Sequence, residues 1–261
     1  MELTDAVTVV TGAGSGIGAA LARRFAAEGA AAVVVSDRDG AAAQRVADEI
    51  GGTADTTDVT DEAAVAALVE RTLAAHGRID LFCSNAGVFT GGGLEVDTAV
   101  WQQVFAVNVL AHVYAARAVL PSMLERGRGY LLNVASAAGL LTTPGDAPYS
   151  VTKHGAVALA EWLAVTYGDR GIGVSVVCPL GVATPLLLDP LEQGRSAASV
   201  VAASGSVIAP EDVAQSVVEG LAEDRFLLLP HPEVGTYWAQ KAAAPEKWLA
   251  GVRRLVQKTS G

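Results

Sequence analysis

The sequence predicts an α/β fold in which helices cover both faces of a parallel sheet, an arrangement called doubly wound. Short runs rich in Val, Leu and Ile alternate with longer helical segments, as in successive strand–helix–strand units. About half of the 261 residues are hydrophobic (51%), which suits strands that are buried on both faces. No linker interrupts the alternation, so we expect a single domain over residues 1–261.

Seven apolar runs are predicted as strands of one parallel sheet. The third of them is unusually polar and is assigned because the alternation with helices requires a strand there. The predicted strands are residues 7–10, 32–35, 53–57, 79–83, 130–134, 174–178 and 225–229.

Helices are predicted between these strands, with glycines or capping side chains near their ends. Residues 97–126 are expected to be helical but interrupted at Pro121, because proline disfavours a helix interior. Residues 179–206, rich in small side chains, are expected to be irregular, and a tail of one or two helices is expected at about 232–258. The other predicted helices are residues 19–27, 41–50, 62–75, 149–167 and one whose first turn contains Pro210.

The composition argues against several classes of function. A formal net charge of −10 argues against a nucleic-acid partner, which needs a basic surface, and against an anionic membrane surface. No apolar run approaches the ~20 residues of a membrane span, and no signal peptide precedes the first strand, so a cytoplasmic protein is expected. Cys83 and Cys178 end apolar runs and are expected to be buried free thiols. The four histidines lack metal-ligand spacing, so no metal site is expected.

A glycine-rich segment follows the first predicted strand. Residues 11–18 read TGAGSGIG and lead directly into a predicted helix. Glycines at such a turn allow backbone N–H groups to approach a pyrophosphate at the helix N-terminus. Alone, a glycine cluster is weak evidence, but its place between strand and helix favours a dinucleotide site.

The most informative stretch for chemistry is residues 149–153, YSVTK. Tyr149 and Lys153 are four positions apart, so a helix places the phenol and the ammonium on one face. A free phenol, with a pKa of about 10, is a weak acid at neutral pH, but a nearby ammonium favours its ionised form. Ser136 lies just after the apolar run 130–134. This pattern predicts proton transfer to or from a substrate oxygen.

Together these motifs resemble the short-chain dehydrogenase/reductase family, and the resemblance covers nearly the whole chain. It implies a Rossmann fold and reversible hydride transfer between a nicotinamide and an alcohol or carbonyl. It implies that Tyr149 exchanges the proton, that Lys153 also holds the nicotinamide ribose, and that Ser136 polarises the substrate oxygen. Asn108 matches a helix asparagine that helps to hold a water linking the lysine to solvent.

The expected cofactor is NAD rather than NADP. Asp37 ends the second predicted strand, near the offset of about 20 residues expected for a ribose-binding acid, and its carboxylate would repel a 2′-phosphate. Arg38 favours NADP instead, because a guanidinium can bind the 2′-phosphate. In the family, Asp at this position usually marks NAD.

Three further segments resemble the cofactor contacts of the family. Residues 58–59 resemble the segment that contacts the adenine in the family. Residues 85–87 resemble the end of the family's Asn-Asn-Ala-Gly motif, and Ser84 replaces the first Asn of that motif. Residues 179–184 resemble the nicotinamide carboxamide contact, with Leu180 in place of a common glycine. The full expected cofactor set is Gly12, Ser15, Gly16, Ile17, Gly18, Asp37, Arg38, Asp58, Val59, Asn85, Ala86, Gly87, Tyr149, Lys153, Pro179, Gly181, Val182 and Thr184.

The family places a mobile substrate lid after the nicotinamide contact, which is residues 185–206 here. Its leucines, and Arg195 as its only basic residue, predict an uncharged, fairly hydrophobic secondary alcohol or ketone as substrate. The expected substrate pocket comprises Phe89, Ser136, Leu140, Tyr149, Leu180 and Leu186.

Two alternative functions remain open. One is a 3-oxoacyl-[acyl-carrier-protein] reductase using NADPH, for which Arg126, Arg128 and Arg170 would bind an acidic carrier. The other is a non-enzymatic dinucleotide sensor, which would be expected to lack the Tyr149 and Lys153 pair. Family resemblance also implies a homotetramer or homodimer through the helices that contain Asn108 and Tyr149.

Overall fold

The computed structural model of the chain describes residues 1–259. Its strands are short and mostly buried. They are β1 (Val7–Thr11), β2 (Ala32–Asp37), β3 (Thr53–Thr56), β4 (Leu81–Ser84), β5 (Gly129–Val134), β6 (Ile172–Val177), β7 (Gly181–Val182), β8 (Val207–Ile208) and β9 (Leu227–Leu228).

Helices connect nearly all of these strands. Their lengths range from the single turn of α6 to the 21 residues of α7. They are α1 (Gly16–Ala27), α2 (Gly40–Ile50), α3 (Glu62–His76), α4 (Thr98–Phe105), α5 (Ala111–Glu125), α6 (Ala138–Leu141), α7 (Ala147–Tyr167), α8 (Pro185–Glu192), α9 (Ser196–Ser204), α10 (Pro210–Ala222), α11 (Pro232–Ala243) and α12 (Pro245–Thr259).

Seven strands form one parallel sheet, as the sequence predicts, in the order β3-β2-β1-β4-β5-β6-β9. The polar third strand is confirmed and lies at the sheet edge, where it pairs only with β2. The strand order reverses between β1 and β4, and the carboxyl ends of these strands open a crevice there. In doubly wound sheets this switch point is where ligands bind. The strands β7 and β8 form a separate parallel pair that the sequence does not predict.

Two hydrophobic clusters cover the two faces of the sheet. Successive strand residues point to opposite sides, so Val9 and Val34 belong to one cluster, and Val10 and Val35 to the other. The first cluster contains residues of α3, α5 and α7; the second contains residues of α1, α2 and α10. This division confirms the predicted doubly wound fold. The helices on both faces hold the sheet in place, and the carboxyl ends of its strands carry the site.

Helix boundaries differ from prediction where local backbone chemistry decides them. Helix α1 begins at Gly16 rather than at residue 19, because the glycine loop turns directly into the helix. Helix α7 begins at Ala147 because the Asp146 side chain caps it, accepting a hydrogen bond from Tyr149 N at 2.8 Å. Both helix starts therefore lie closer to the crevice than predicted.

The predicted interruption at Pro121 is wrong. Pro121 lies inside α5, near its C-terminal end, where buried Val119, Leu120 and Met123 hold the helix on the core. The break in this long segment is a π-helical turn at Ala106–Leu110, which separates α4 from α5. Such turns occur frequently at functional sites.

The expectation of an irregular segment over 179–206 is also wrong for most of its length. Helices α8 and α9 occupy it, and Pro185 is at the first position of α8, where proline is well tolerated. The sequence predicts an irregular segment because small residues such as the alanines and serines of α9 are common in loops, but alanine also has the highest helix propensity. The predicted C-terminal tail is confirmed as two helices, α11 and α12.

One helical segment within residues 1–259, Thr98–Glu125, is long and apolar enough to cross a membrane by composition alone. More than half of its apolar window (56%) is buried inside the fold. Its C-terminal half contributes Ala115, Ala116, Val119, Leu120 and Met123 to the core cluster that also contains residues of α3 and α7. These features are those of a core helix.

Candidate active site

The glycine loop forms a tight cradle at the carboxyl end of β1. Gly12 and Gly16 have positive φ (62° and 52°), which side chains disfavour, and a Cβ at Gly12 would lie 2.8 Å from Ala86 Cα. Ser15 caps α1 without a side-chain hydrogen bond, so its side chain does not occupy the first N–H groups of the helix. This cradle fits the pyrophosphate of a dinucleotide. Gly18 does not line the cavity; a side chain there would overlap the Gly12 carbonyl oxygen.

The acidic residue at the end of β2 is held by the same loop. Asp37 Oδ2 accepts a hydrogen bond from Gly14 N (2.9 Å), and Oδ1 accepts one from Asp39 N (3.0 Å). A Cβ at Gly14 would lie 3.0 Å from Asp37 Oδ2, so glycine permits this contact. Arg38, Asp58 and Val59 line the same end of the cavity, as predicted, together with Ile17.

The loop after β4 closes the cradle from the other side of the switch point. Asn85 Nδ2 donates to the carbonyl oxygens of Thr11 (2.8 Å) and Gly12 (3.1 Å), so it ties the two loops together. A Cβ at Gly87 would lie 3.3 Å from Lys153 Nζ. Ser84, where the family has asparagine, is the last residue of β4 and is buried.

Ser136, Tyr149 and Lys153 converge on one wall of the cavity, although Ser136 follows β5 and the other two residues lie in α7. Lys153 Nζ donates to the Val134 carbonyl oxygen at 3.0 Å and lies 5.6 Å from the centre of the Tyr149 ring. The Phe89 ring meets the Tyr149 ring edge-on, with centroids 5.2 Å apart. All three polar side chains are less than a tenth exposed.

Burial shifts the protonation equilibria of this group. Burial raises the pKa of Tyr149 to about 12, although a hydrogen bond with Ser136 opposes the shift. Burial lowers the pKa of Lys153 to about 8, which is still above neutrality. At pH 7 the site therefore holds a protonated phenol beside a mostly charged ammonium.

Asn108 supports this wall from behind and does not line the cavity. It lies in the π-helical turn, is fully buried, and its Oδ1 accepts from Val88 N at 2.9 Å. Its Nδ2 donates to the Val88 carbonyl oxygen (3.0 Å) and to Thr152 Oγ1 (3.1 Å). Asn108 thus joins the loop after β4 to the helix that carries Tyr149 and Lys153.

Asp146 is a site residue that sequence reasoning missed. It is fully buried and accepts from Thr90 N (2.8 Å), Gly91 N (2.6 Å) and Tyr149 N (2.8 Å). The carboxylate therefore fixes the start of α7 against the loop that carries Phe89. An acid three residues before Tyr149 is a capping signal that could have indicated it.

His231 is a second missed residue. It is buried; its Nδ1 accepts from Leu180 N, and its Nε2 donates to the Gly181 carbonyl oxygen, both at 3.1 Å. Leu180 has no positive φ, so the backbone does not need the family's glycine here. Pro179, Leu180, Val182 and Thr184 line the cavity, whereas Gly181 does not.

The cavity measures about 1250 Å³ and continues from the dinucleotide cradle past Tyr149. Phe89, Leu180 and Leu186 line it, as predicted. The assignment of Leu140 to the cavity wall is wrong: both leucines of the single-turn helix α6 belong to a core cluster, and of the two only Leu141 also lines the cavity. Consecutive helical residues point in directions about 100° apart.

The C-terminal helices also line the cavity, which the sequence did not predict. Tyr237 of α11 and Trp248 of α12 add aromatic surface, and α12 also places Lys247 and Arg254 there. Arg195 of the lid, expected to be the one cation near the substrate, instead donates to the Thr90 carbonyl oxygen at 2.8 Å.

Two of the three arginines considered for a carrier protein contact other side chains of the fold. Arg126 forms an ion pair with Asp80 at 2.9 Å, and the Arg170 guanidinium lies 5.4 Å from the centre of the Tyr167 ring. The structure thus gives little support to a free basic patch for an acyl-carrier protein.

No cluster of three or more His, Cys, Asp or Glu side chains within residues 1–259 is arranged to hold a metal ion. The two cysteines are buried and free, as the sequence predicts.

His112 is buried close to Lys153. Its burial, and to a lesser extent the Lys153 charge, lowers the pKa of His112 to about 3, so this imidazole stays neutral.

Comparisons with known proteins agree with this architecture. A 1-deoxy-11-beta-hydroxypentalenate dehydrogenase of Streptomyces exfoliatus is 41% identical over 242 residues, covering 89% of this chain and 86% of that protein. A cis-4-hydroxycyclohexanecarboxylate dehydrogenase of Sinomonas cyclohexanicum is 35% identical over 218 residues, covering 82% and 88%. The crystal structure of a short chain dehydrogenase/reductase from Burkholderia phymatum in complex with NAD superposes with a TM-score of 0.85, at 33% identity, covering 94% of this chain and 96% of that one.

The short chain dehydrogenase family matches residues 6–193, which include the glycine loop, Ser136, Tyr149 and Lys153. The relatives match this chain over most of their own length. The chain therefore belongs to the short-chain dehydrogenase/reductase family and is an oxidoreductase of alcohol or carbonyl substrates.

Proposed function

We propose that the protein transfers a hydride between NAD(H) and a fairly hydrophobic secondary alcohol or ketone, with Tyr149 as the acid and base. The observation that carries this proposal is a single cavity that joins a dinucleotide cradle to Ser136, Tyr149, Lys153 and apolar walls. A bound nicotinamide would supply or accept the hydride.

Side chains of the protein would transfer the proton and stabilise the charge on the substrate oxygen. The Tyr149 hydroxyl donates its proton to that oxygen in reduction and takes it back in oxidation, while the Ser136 hydroxyl donates a hydrogen bond to it. The Lys153 ammonium lowers the cost of forming the phenolate. Asn108 keeps the helix that carries both groups in register with the loop after β4.

Several features support NAD over NADP. Asp37 presents a carboxylate at the ribose end of the cradle, which would repel a 2′-phosphate. The similar Burkholderia structure contains NAD. Arg38 is the feature that favours NADP, so a direct comparison of the two cofactors is needed.

The substrate class is supported by the cavity walls and by the relatives. Leu141, Leu186, Val200 and Trp248 give the region beyond Tyr149 an apolar lining. The relatives named above are dehydrogenases of hydroxylated compounds. The expectation of an uncharged substrate rested on Arg195 as the one nearby cation, and that reason does not hold once Lys247 and Arg254 line the cavity.

We also propose a cytoplasmic homotetramer or homodimer. Two buried free thiols are compatible with a reducing compartment. Exposed apolar side chains on α7 support an oligomer interface.

The direct test is Tyr149→Phe, assayed with NAD and a panel of secondary alcohols. The ring still packs on Phe89, but the hydroxyl is lost, so kcat should fall by about 10³ while NADH affinity changes little. Tyr167→Phe, which lies outside the cavity, should keep wild-type turnover. Near-normal turnover by Tyr149→Phe would exclude the proposed mechanism.

A further inference from the structure

The last helix turns one continuous face toward the cavity. The residues on that face recur with helical spacing and divide into an apolar part, with Trp248, Val252 and Leu255, and a basic edge. Lys247 and Arg254 are seven positions apart, so they lie along this edge two turns from each other.

Gly251 separates the two cations on the face of the helix. A Cβ built at Gly251 would lie 3.8 Å from Arg254 Nη2, so the guanidinium extends back toward the turn that carries Lys247.

Neither cation has an anionic partner among residues 1–259. The ion pairs within residues 1–259 involve seven other arginines, each within 3 Å of a carboxylate. Lys247 and Arg254 take part in none of these pairs, and both are solvent-exposed.

The acidic residues that line the cavity all lie at its ribose end. Asp37 ends β2, Asp39 follows it, and Asp58 follows β3; Arg38 and Arg45 line the same end. The cavity-lining residues of α6, α8, α9, α11 and α12 include no carboxylate. The region formed by the lid and the C-terminal helices therefore combines apolar walls with two cations and no internal counter-ion.

We propose that Lys247 and Arg254 bind a carboxylate group of the substrate. The substrate would be a hydrophobic hydroxy or oxo acid whose reacting oxygen meets Tyr149 and whose carboxylate lies against α12. A guanidinium can hold a carboxylate through two parallel N–H donors, and the ammonium adds a third charged contact. This inference rests on the proposed oxidoreductase function, because it specifies the substrate of the same site.

The experiment compares matched pairs of cyclic hydroxy acids and their methyl esters, for example 4-hydroxycyclohexanecarboxylate and its ester. The wild-type enzyme should favour the acids in kcat/KM by about tenfold, as expected for charge-assisted hydrogen bonds. Lys247→Gln/Arg254→Gln should abolish this preference, mainly by raising KM for the acids. Arg253→Gln, whose position on α12 does not line the cavity, is the matched control and should keep the preference.

A binding measurement separates this inference from the proposed function. Calorimetry with cyclohexanecarboxylate and its methyl ester on the NADH complex needs no turnover. It should show tighter binding of the acid than of the ester in wild type, and this difference should be lost in the double variant.

The possible outcomes separate the two proposals. If alcohols are oxidised but acids and esters are used and bound equally well, the carboxylate site is refuted and the oxidoreductase function stands. If NADH affinity falls in the double variant while the acid preference persists, the cations serve the cofactor and the inference is wrong. If the acid binds selectively but no alcohol is oxidised, the proposed function fails while the anion site stands.

Discussion

Both carboxylate oxygens of Asp37 accept backbone hydrogen bonds from the protein itself, so this side chain is fixed at the ribose end of the cradle. Removing the carboxylate removes a hydrogen-bond acceptor and a repulsion, and it leaves Arg38 to meet a 2′-phosphate. We predict that wild type prefers NAD and that Asp37→Ser narrows or reverses the preference. A tenfold change in the ratio of kcat/KM for the two cofactors corresponds to about 1.4 kcal/mol.

The matched control for this change is Asp48→Ser, which removes the same charge from an exposed position of α2 that does not line the cavity. In this variant the ratio of kcat/KM for NAD to kcat/KM for NADP should remain close to that of wild type. A wild-type enzyme that prefers NADP would overturn the assignment of Asp37.

Asp146 fixes the active-site wall through three hydrogen bonds. Its buried carboxylate accepts from the N–H groups of Thr90, Gly91 and Tyr149, and Asp146→Ala leaves them without this acceptor. We predict a loss of about 3 kcal/mol in the free energy of unfolding, measured by denaturant titration, together with reduced kcat.

Asp61→Ala provides the comparison, because Asp61 caps α3 with two N–H contacts and does not line the cavity. It should cost about 1 kcal/mol and leave kcat unchanged. Equal losses of stability and activity in the two variants would show that Asp146 acts only as an ordinary cap.

Asp146 and His231 also show which contacts the sequence does not reveal. Tyr149 and Lys153 are predictable because four positions along a helix bring them together whatever else the chain does. Asp146 meets Thr90, 56 residues away, and His231 meets Leu180, 51 residues away. Such partners are set by how the elements pack, which periodicity does not encode.

At the scale of elements, strands were easier to predict than the segments that cover the site. The apolar runs of β1 and β2 are buried on both faces, so composition alone identifies them. Helices α8, α9 and α12 cover an open cavity and are half-exposed, so their sequences carry a weaker apolar signal. The substrate end of the cavity was predicted less completely for this reason.

Helix α8 offers a test of the lid. Leu186 lines the cavity although 42% of it is exposed, whereas Leu188, 37% exposed, does not line it. We predict that Leu186→Asp raises KM for a hydrophobic alcohol by about tenfold, because it removes apolar contact from the substrate. KM for NAD should change less, and Leu188→Asp should leave both values close to wild type. A larger effect on NAD than on the alcohol would assign α8 to the cofactor.

At the scale of the whole molecule, one face of α7 is apolar and exposed. Val151, Trp162 and Val165 are 54%, 56% and 87% exposed. With Ala158 they recur at spacings of seven, four and three, which forms one stripe along the helix. The small side chain of Ala158 in this stripe allows a second helix to approach closely, so this face suits packing against a second copy of the chain.

We therefore predict that wild type is a dimer or tetramer and that Trp162→Glu shifts it to smaller species. The substitution places a charge in the middle of the stripe, where desolvating it would cost several kcal/mol at an interface. Light scattering after size exclusion measures the change in mass. Leu249→Glu, at a 52% exposed position of α12 that does not line the cavity, is the control and should keep the wild-type mass. If Trp162→Glu also keeps that mass, subunits do not associate through the α7 stripe, and a monomeric wild type would refute the oligomer itself.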